Sequence, residues 1–502
     1  MSLLGLALLG LVGLLLLTTG LPAYAVLIAA AVVGASAAAL APGTSFALLT
    51  ALPNRLVNLL ENDLLQALPL FVLMGALLNC MSVVPALYKT LLWLLPRRAG
   101  AQLASGLALG ALLGPMSGSV GASVLALSQS VEPSLADSGV PAPLRQATIA
   151  LASTLGIVVP PSLVLILLGD AMLNAHTIAL NATGRMDRIV NTQDVMRAAL
   201  VPAGLVVVLS MTIAWIVGDH RTGVRRGRVR FTVVDAPRWG EMAMAMLSVT
   251  FLVLLLGGVA TGYFYAVEAA AAGAVALFVA GLVSGRLRIE VLSPLLSRVM
   301  ATTGALFAPL VAATTFTLVL RVLGTDKLIE GWIALMPGGE LLAVCVILGA
   351  LALMAFVLDA FEIIFVGVPV LIPPLLMRAP DAAWIATLVL LTLQISFLVP
   401  PAGYALMMTR GVLGGGVPSG AVTRALLPFL AGQLLVLALV LWQPRIVHLL
   451  DHRSAADAAR PEPALSNDEV ERKFRKMSKP GGPFGPSPFG DTPFPPPPLA
   501  GK

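Results

Sequence analysis

The chain has 502 residues, 58% hydrophobic and only 11% charged, too apolar for a soluble protein that must cover itself with polar surface. Its net charge of +6 comes mostly from loop arginines, so in a membrane protein it reports topology and not a nucleic-acid partner. Cys80 and Cys345 both sit in apolar stretches and the four histidines have no ligand spacing, which leaves no disulfide framework, transition-metal centre or organic cofactor to expect.

Taken in chain order, residues 1–25 have the apolar core of a signal peptide but lack a basic start and run at once into a second apolar span, so they read as a helix of the mature protein. Crossing segments are expected at 2–18, 22–41, 67–88, 145–178, 196–217, 243–260, 267–284, 300–322, 382–412 and 424–442, each near the length a helix needs to cross a bilayer. Two further apolar stretches, 100–136 and 340–377, are interrupted midway, by Gly114-Pro115-Met116-Ser117-Gly118-Ser119 and by Leu358-Asp359-Ala360-Phe361-Glu362. Both read as hairpins that enter and leave on one side. The expected fold is therefore an all-α integral membrane protein, with about ten spanning helices and two re-entrant hairpins in two inverted repeats.

The implied organisation is N-terminal helices at 1–66, a first repeat at 67–217, a basic loop at 218–242, further helices at 243–299, a second repeat at 300–445 and a tail at 446–502. The loop at 218–242 carries six arginines against three acids, which places it in the cytoplasm. Alternating outward puts Lys89, Arg97, Arg98, Arg286, Arg288 and Arg410 on the same side. It also opens the first hairpin to the cytoplasm, opens the second to the periplasm, and leaves the N-terminus periplasmic. The tail changes character: a charged run at 467–479 precedes a Pro/Gly/Phe-rich segment that cannot bury a core and reads as disordered. Crossing parity puts it outside, whereas Arg472, Lys473, Arg475 and Lys476 favour the inside.

The most informative pattern is an approximate duplication in which each hairpin is followed by a helix broken at a double proline. Ser117 lies 43 residues before Pro160 and Asp359 lies 41 before Pro400. Prolines donate no amide and free the carbonyls a turn earlier, and such groups survive at membrane depth only inside protein or against a cavity. Paired breaks in opposed halves point to a midplane site where helix N-termini face an anion and freed carbonyls hold a cation. A lone proline pair would be an ordinary kink; two matched pairs with hairpins argue for a site. Hard cations such as sodium suit the oxygens these breaks offer.

Asp359 and Glu362, three residues apart, fall near one helical face. Carboxyl groups at that depth are costly enough to be functional, as cation ligands, proton carriers or caps of the hairpin's half-helices. Ser117 and Ser119, flanked by Gly114, Gly118 and Gly121, offer hydroxyls and amides at a tight tip, although small residues there also suit helix packing. Glu268 opens a span and reads as a possible helix cap. An intramembrane aspartyl protease built on Asp359 would need a second aspartate facing it; Asp170, near the end of its segment, is the other candidate within a span.

With these residues the chain resembles the large membrane subunit of tripartite ATP-independent periplasmic (TRAP) transporters, from the N-terminus to about Arg445. The matching stretches are 67–75, the Ser117-Gly118-Ser119 tip, 153–170, 262–270, 358–369 and 393–411. The resemblance implies a transporter, not an enzyme, in the bacterial inner membrane. Its transport domain, holding both hairpins, slides as an elevator against a scaffold of the remaining helices and a separate small four-helix subunit. It also implies delivery by a periplasmic binding protein and uptake driven by sodium. On the matching positions, Ser117, Ser119, Gly156, Val159 and Pro160 would frame one sodium site and Asp359, Ser396, Val399 and Pro400 the other. The substrate, between the tips, would meet Ser117, Gly118, Ser119, Ser162, Asp359, Glu362 and Gly403. The second hairpin and break look like the branch linked to small organic anions such as 2-oxo and hydroxy acids. A stand-alone sodium/dicarboxylate carrier of similar design is the alternative, and a purely structural assembly subunit a more remote one. The chain departs from the family pattern at Phe264-Tyr265-Ala266-Val267, where Phe-Thr-Pro-Thr often precedes the glutamate, and at Pro401-Ala402-Gly403-Tyr404, where a bulkier residue often follows the prolines.

Overall fold

Paired prolines, a run of small residues and long lipid-facing apolar surfaces set the architecture. The computed structural model describes residues 2–40, 50–81, 83–95, 99–117, 120–160, 162–221, 239–261, 263–400, 403–414 and 416–450. The basic loop from 222 to 238 and the tail from 451 lie outside them. All regular structure among the described residues is helical. The first half contains α1 (Ser2–Thr19), α2 (Ala23–Leu40), α3 (Leu52–Glu61), α4 (Asp63–Cys80), α5 (Val83–Leu94), α6 (Ala99–Ser117), α7 (Val120–Ser130), α8 (Glu132–Asp137), α9 (Ala142–Val158), α10 (Leu163–Thr183) and α11 (Thr192–Arg221). The second contains α12 (Trp239–Thr261), α13 (Ala266–Val283), α14 (Ile289–Val322), α15 (Thr325–Leu335) and α16 (Glu340–Met354). It continues through α17 (Ala360–Glu362), a π-helical turn (Ile363–Gly367), α18 (Val368–Arg378), α19 (Ala382–Ser396), α20 (Tyr404–Leu413) and α21 (Ser419–Trp442).

Among the described residues eight helices are each long and apolar enough to cross a bilayer, and the bent pair α3–α4 makes a ninth. Seven of the eight fall on expected segments and the eighth, 360–378, is an arm of the second hairpin; the expected segments 267–284 and 382–412 carry the shorter apolar helices α13 and α19. Both hairpins form, as α6 to α8 and as α16 to α18.

Several expected boundaries move. The segment 67–88 is two helices, because α4 stops at Cys80 and Pro85 sits in the first turn of α5, where a missing amide costs nothing. The divisions at 66/67 and 299/300 fall inside α4 and α14. The single prolines Pro294 and Pro309 leave α14 unbroken over 34 residues and the pair Pro373-Pro374 is carried inside α18, whereas α9 ends at Val158 and α19 at Ser396, just before Pro160 and Pro400.

Packing reveals the duplication. α2 packs on α14 as α13 packs on α4; α10 packs on α18 as α20 packs on α7; α11 packs on α19 as α21 packs on α9. α9 meets α19 and α11 meets α21 across the centre. For these pairs, exchanging the halves maps contact onto contact, as a pseudo-two-fold axis requires. The halves are also inverted. Gln146 Nε2 at the start of α9 donates to the Gly414 carbonyl just past α20 (3.3 Å). Trp384 Nε1 at the start of α19 donates to the Val440 carbonyl near the end of α21 (2.9 Å). Because α21 follows α20 and its 24 residues run about 36 Å, α9 and α19 enter from opposite faces.

The side assignments of the basic residues agree with these contacts. Lys89 Nζ pairs with Glu241 (2.7 Å), the Gly100 amide donates to Asp219 Oδ1 (3.2 Å), and Arg286 donates to the Met81 carbonyl. The ends expected in the cytoplasm therefore meet one another.

Candidate transport site

The first hairpin is held to the first broken helix by a stripe of small residues. Gly106, Gly110 and Gly114 on α6 face Thr148, Ala152 and Gly156 on α9, each set repeating every four residues. A Cβ on Gly110 would strike the Ala152 backbone, and one on Gly114 the Gly156 backbone. Close backbone approach of this kind is how membrane helices associate without a hydrophobic driving force. It carries the break at 159–162 up against the hairpin tip.

At that break Val159 is extended and Pro160 gives no amide to the Gly156 carbonyl. Ser162 bridges the gap. Its buried hydroxyl donates to the Ile157 carbonyl (2.6 Å) and accepts from the Leu165 amide (3.0 Å), capping α10. Its single proton is therefore committed, and it meets a ligand only as an acceptor.

The second break is tighter. The Val399 amide donates to the Ser396 carbonyl (3.2 Å), the Gly403 amide to the Val399 carbonyl (2.9 Å) and the Ala405 amide to the Phe397 carbonyl (3.1 Å). The carbonyls expected to be free here each keep one lone pair instead of two. The Ser396 hydroxyl donates to the Thr392 carbonyl (2.7 Å), so it too offers lone pairs only. Gly403 has a packing reason: a Cβ there would crowd the backbone of Phe397 and Leu398.

On the second hairpin, the Asp359 carboxylate accepts from the Ala360 amide (2.7 Å) and the Glu362 carboxylate from the Asp359 amide (3.1 Å). The two form a reciprocal capping box. The Asp359 side chain also takes the Glu362 amide, so capping, one of the roles open to them from the sequence, is what they do here. Glu268 likewise caps α13 by accepting from the Tyr265 amide (3.0 Å).

These elements converge on a narrow cavity of about 20 Å³. It is lined by Gly114, Pro115, Val120 and Ser123 of the first hairpin; by Ser153, Gly156, Ile157, Ser162, Leu163 and Val164 around the first break; and by Asp359, Ala360 and Phe361 of the second hairpin. Among the expected site residues, Gly156, Ser162 and Asp359 meet here. Ser396, Val399, Pro400, Gly403 and Glu362 are not part of this wall, nor are Val159 and Pro160. The second break approaches through Tyr404, which lies within electrostatic reach of Asp359 and Glu362 and packs its ring on Phe397 at 6.0 Å. Ser117 ends α6, while Gly118 and Ser119 lie outside the described residues. Ser123 and Ser153 were not singled out from the sequence as site residues. The i, i+4 repeat of small residues was the signal that could have marked this hairpin–helix seam.

Asp359 is the sole ionisable residue in the lining. Asp170 is not part of it and instead accepts from Asn62 Nδ2 (3.4 Å), so no aspartate dyad forms.

Residues 10–446 match the family model described as the DctM component of the tripartite ATP-independent periplasmic transporter. The chain belongs to this family. It is 26% identical over 395 residues to the C4-dicarboxylate TRAP transporter large permease protein DctM of Pseudomonas aeruginosa, covering 77% of this chain and 86% of the relative. It is 25% identical to the sialic acid TRAP transporter large permease protein SiaM of Vibrio cholerae, covering 78% and 87%. It is also 25% identical to the ectoine/5-hydroxyectoine TRAP transporter large permease protein UehC of Ruegeria pomeroyi, covering 66% and 72%. In fold it is similar to the Alcanivorax borkumensis YdaH transporter, with a TM-score of 0.57 and 16% identity over 81% of this chain and 90% of that one. This TRAP large subunit is thus a multi-pass bacterial inner-membrane transport protein and not an enzyme.

Proposed function

We propose that this TRAP large subunit forms the path for sodium-coupled uptake of a small organic anion, a carboxylate of the 2-oxo or hydroxy acid kind. A periplasmic binding protein delivers the substrate, and a small four-helix membrane subunit braces the scaffold. The observation that carries this reading is the shared cavity: both hairpins and the first break line it, and its described lining residues include one carboxylate and no arginine or lysine. An anion entering beside Asp359 meets a like charge, worth about 4 kcal/mol at 4 Å for an effective dielectric of 20. A sodium ion on the Asp359 carboxylate removes that penalty, so cation and anion bind better together than apart. Coupling follows from this reciprocity.

In this reading one sodium sits among the Gly156 and Val159 carbonyls at Pro160 and the hydroxyls of Ser117 and Ser119. The other sits among Asp359, the Ser396 hydroxyl and the Val399 carbonyl at Pro400. The substrate lies between the tips, near Ser162, with Tyr404 beside Gly403 closing the periplasmic side. The names of the relatives span dicarboxylates, a sugar acid and ectoines, so membership alone leaves the substrate open. The small cavity and its Phe361, Leu163 and Val164 wall favour a compact acid.

Reconstitution in liposomes tests the proposal. Uptake should need this chain, the small subunit and the binding protein together. Uptake by this chain alone, indifferent to the binding protein, would contradict the tripartite reading and favour a stand-alone carrier.

A further inference from the structure

A second, larger cavity lies directly behind the second hairpin. Leu9, Val12 and Gly13 of α1, Leu27 of α2 and Phe316 of α14 form one wall; Leu353, Met354, Val357, Leu358 and Val366 of the hairpin form the other. Every lining residue is apolar, so the space offers no partner to water or an ion and stays dry of both. Leu358 belongs to this wall and Asp359 to the polar cavity, so one short loop separates the two spaces.

We infer that this cavity holds one alkyl chain of a membrane lipid. Its mouth is continuous with the surface that faces the bilayer. Leu353, in the lining, is 69% exposed, and it continues a stripe on α16 through Leu342 and Val346, both also exposed. α1 beside it presents exposed Leu3, Leu11, Leu14 and Leu17. The medium at the mouth is therefore hydrocarbon. A void open to fluid hydrocarbon forfeits dispersion contacts on all its walls, and an entering chain restores them with no polar desolvation to offset. A partner helix, about 10–12 Å across with its side chains, is too wide to enter. The consequence is mechanical: a tail behind Val357 and Leu358 fills the space into which the Asp359 loop would otherwise retreat.

Gly13 supplies the test, because a Cβ built there meets no atom within 4 Å, as at Gly10 on the same helix, which lies outside the lining. Gly13→Leu therefore takes up cavity space, and Gly10→Leu is the matched control. The probe is a phosphatidylethanolamine with a photoactivatable diazirine in mid-chain, in nanodiscs holding the full chain with its small subunit, with cross-linked residues mapped by mass spectrometry. The expected result is labelling at Leu9 to Gly13 and at Leu353 to Leu358 that is lost in Gly13→Leu and kept in Gly10→Leu. Equal labelling in both variants would overturn the inference, as would labelling that vanishes when the small subunit is present, since that subunit would then be the occupant. The readout is lipid contact and not transport, so it stands apart from the sodium-coupling proposal.

Discussion

Asp359 combines two tasks that substitution can separate. Asparagine caps helices about as well as aspartate, so Asp359→Asn should keep the bond from the Ala360 amide and the protein's thermal midpoint while losing the charge proposed to meet sodium. We expect sodium-dependent uptake to fall at least about tenfold, a barrier change of about 1.4 kcal/mol. Unchanged uptake with unchanged stability would reduce Asp359 to a cap. Ser162→Ala should act in the opposite way, losing the clip between Ile157 and Leu165 at a cost of about 1 kcal/mol, visible as a lower midpoint in a thermal-unfolding assay. The Asp359/Glu362 spacing is legible in sequence as a capping box or as an ion site, and only the hydrogen bonds show that both carboxylates cap. Ser123 and Ser153 were not legible as cavity walls, since in an apolar helix a serine that lines a space and one that merely packs look alike.

At the scale of the element, the glycine stripe of α6 bears on folding and not on chemistry. Gly110→Val would push two branched carbons into the Ala152 backbone. Overpacking of this kind costs about 1–3 kcal/mol or more where backbone must move. A sharply reduced yield of folded protein in size-exclusion chromatography is expected, against near-wild-type yield for Gly204→Ala, where nothing stands in the way. The double prolines made both breaks readable, and the apolar lengths made the hairpins readable. The stop at Cys80 was missed because Met81 and Ser82 carry no glycine or proline, and the start of α14 because Pro294 and charged residues resemble a loop.

For the whole molecule, the exchange of packing pairs between halves places the two hairpins symmetrically. α6 lies against α4 and α5, while α17 and α18 lie against α14 and α15. In the proposed elevator, α4 and α14 would serve as rails. Asn62 at the start of α4 touches Asp170 on α10, so a short thiol cross-linker between Asn62→Cys and Asp170→Cys, in a background lacking Cys80 and Cys345, should arrest uptake by pinning rail to carrier. Full activity after cross-linking would mean that α10 does not move past α4. The inversion of the halves was foreshadowed by the charges of the loops, but the pairing of α10 with α18 and of α20 with α7 joins segments too far apart in the chain for local patterns to reveal.

The most direct test of the coupled site is simultaneous measurement of radiolabelled sodium and labelled anion entering liposomes that hold the complete complex, without ATP. Sodium-coupled transport predicts that both enter in fixed proportion, that potassium does not replace sodium, and that Asp359→Asn lowers both fluxes together at least about tenfold. Anion accumulation that persists in potassium, or that is undiminished in Asp359→Asn, would contradict it.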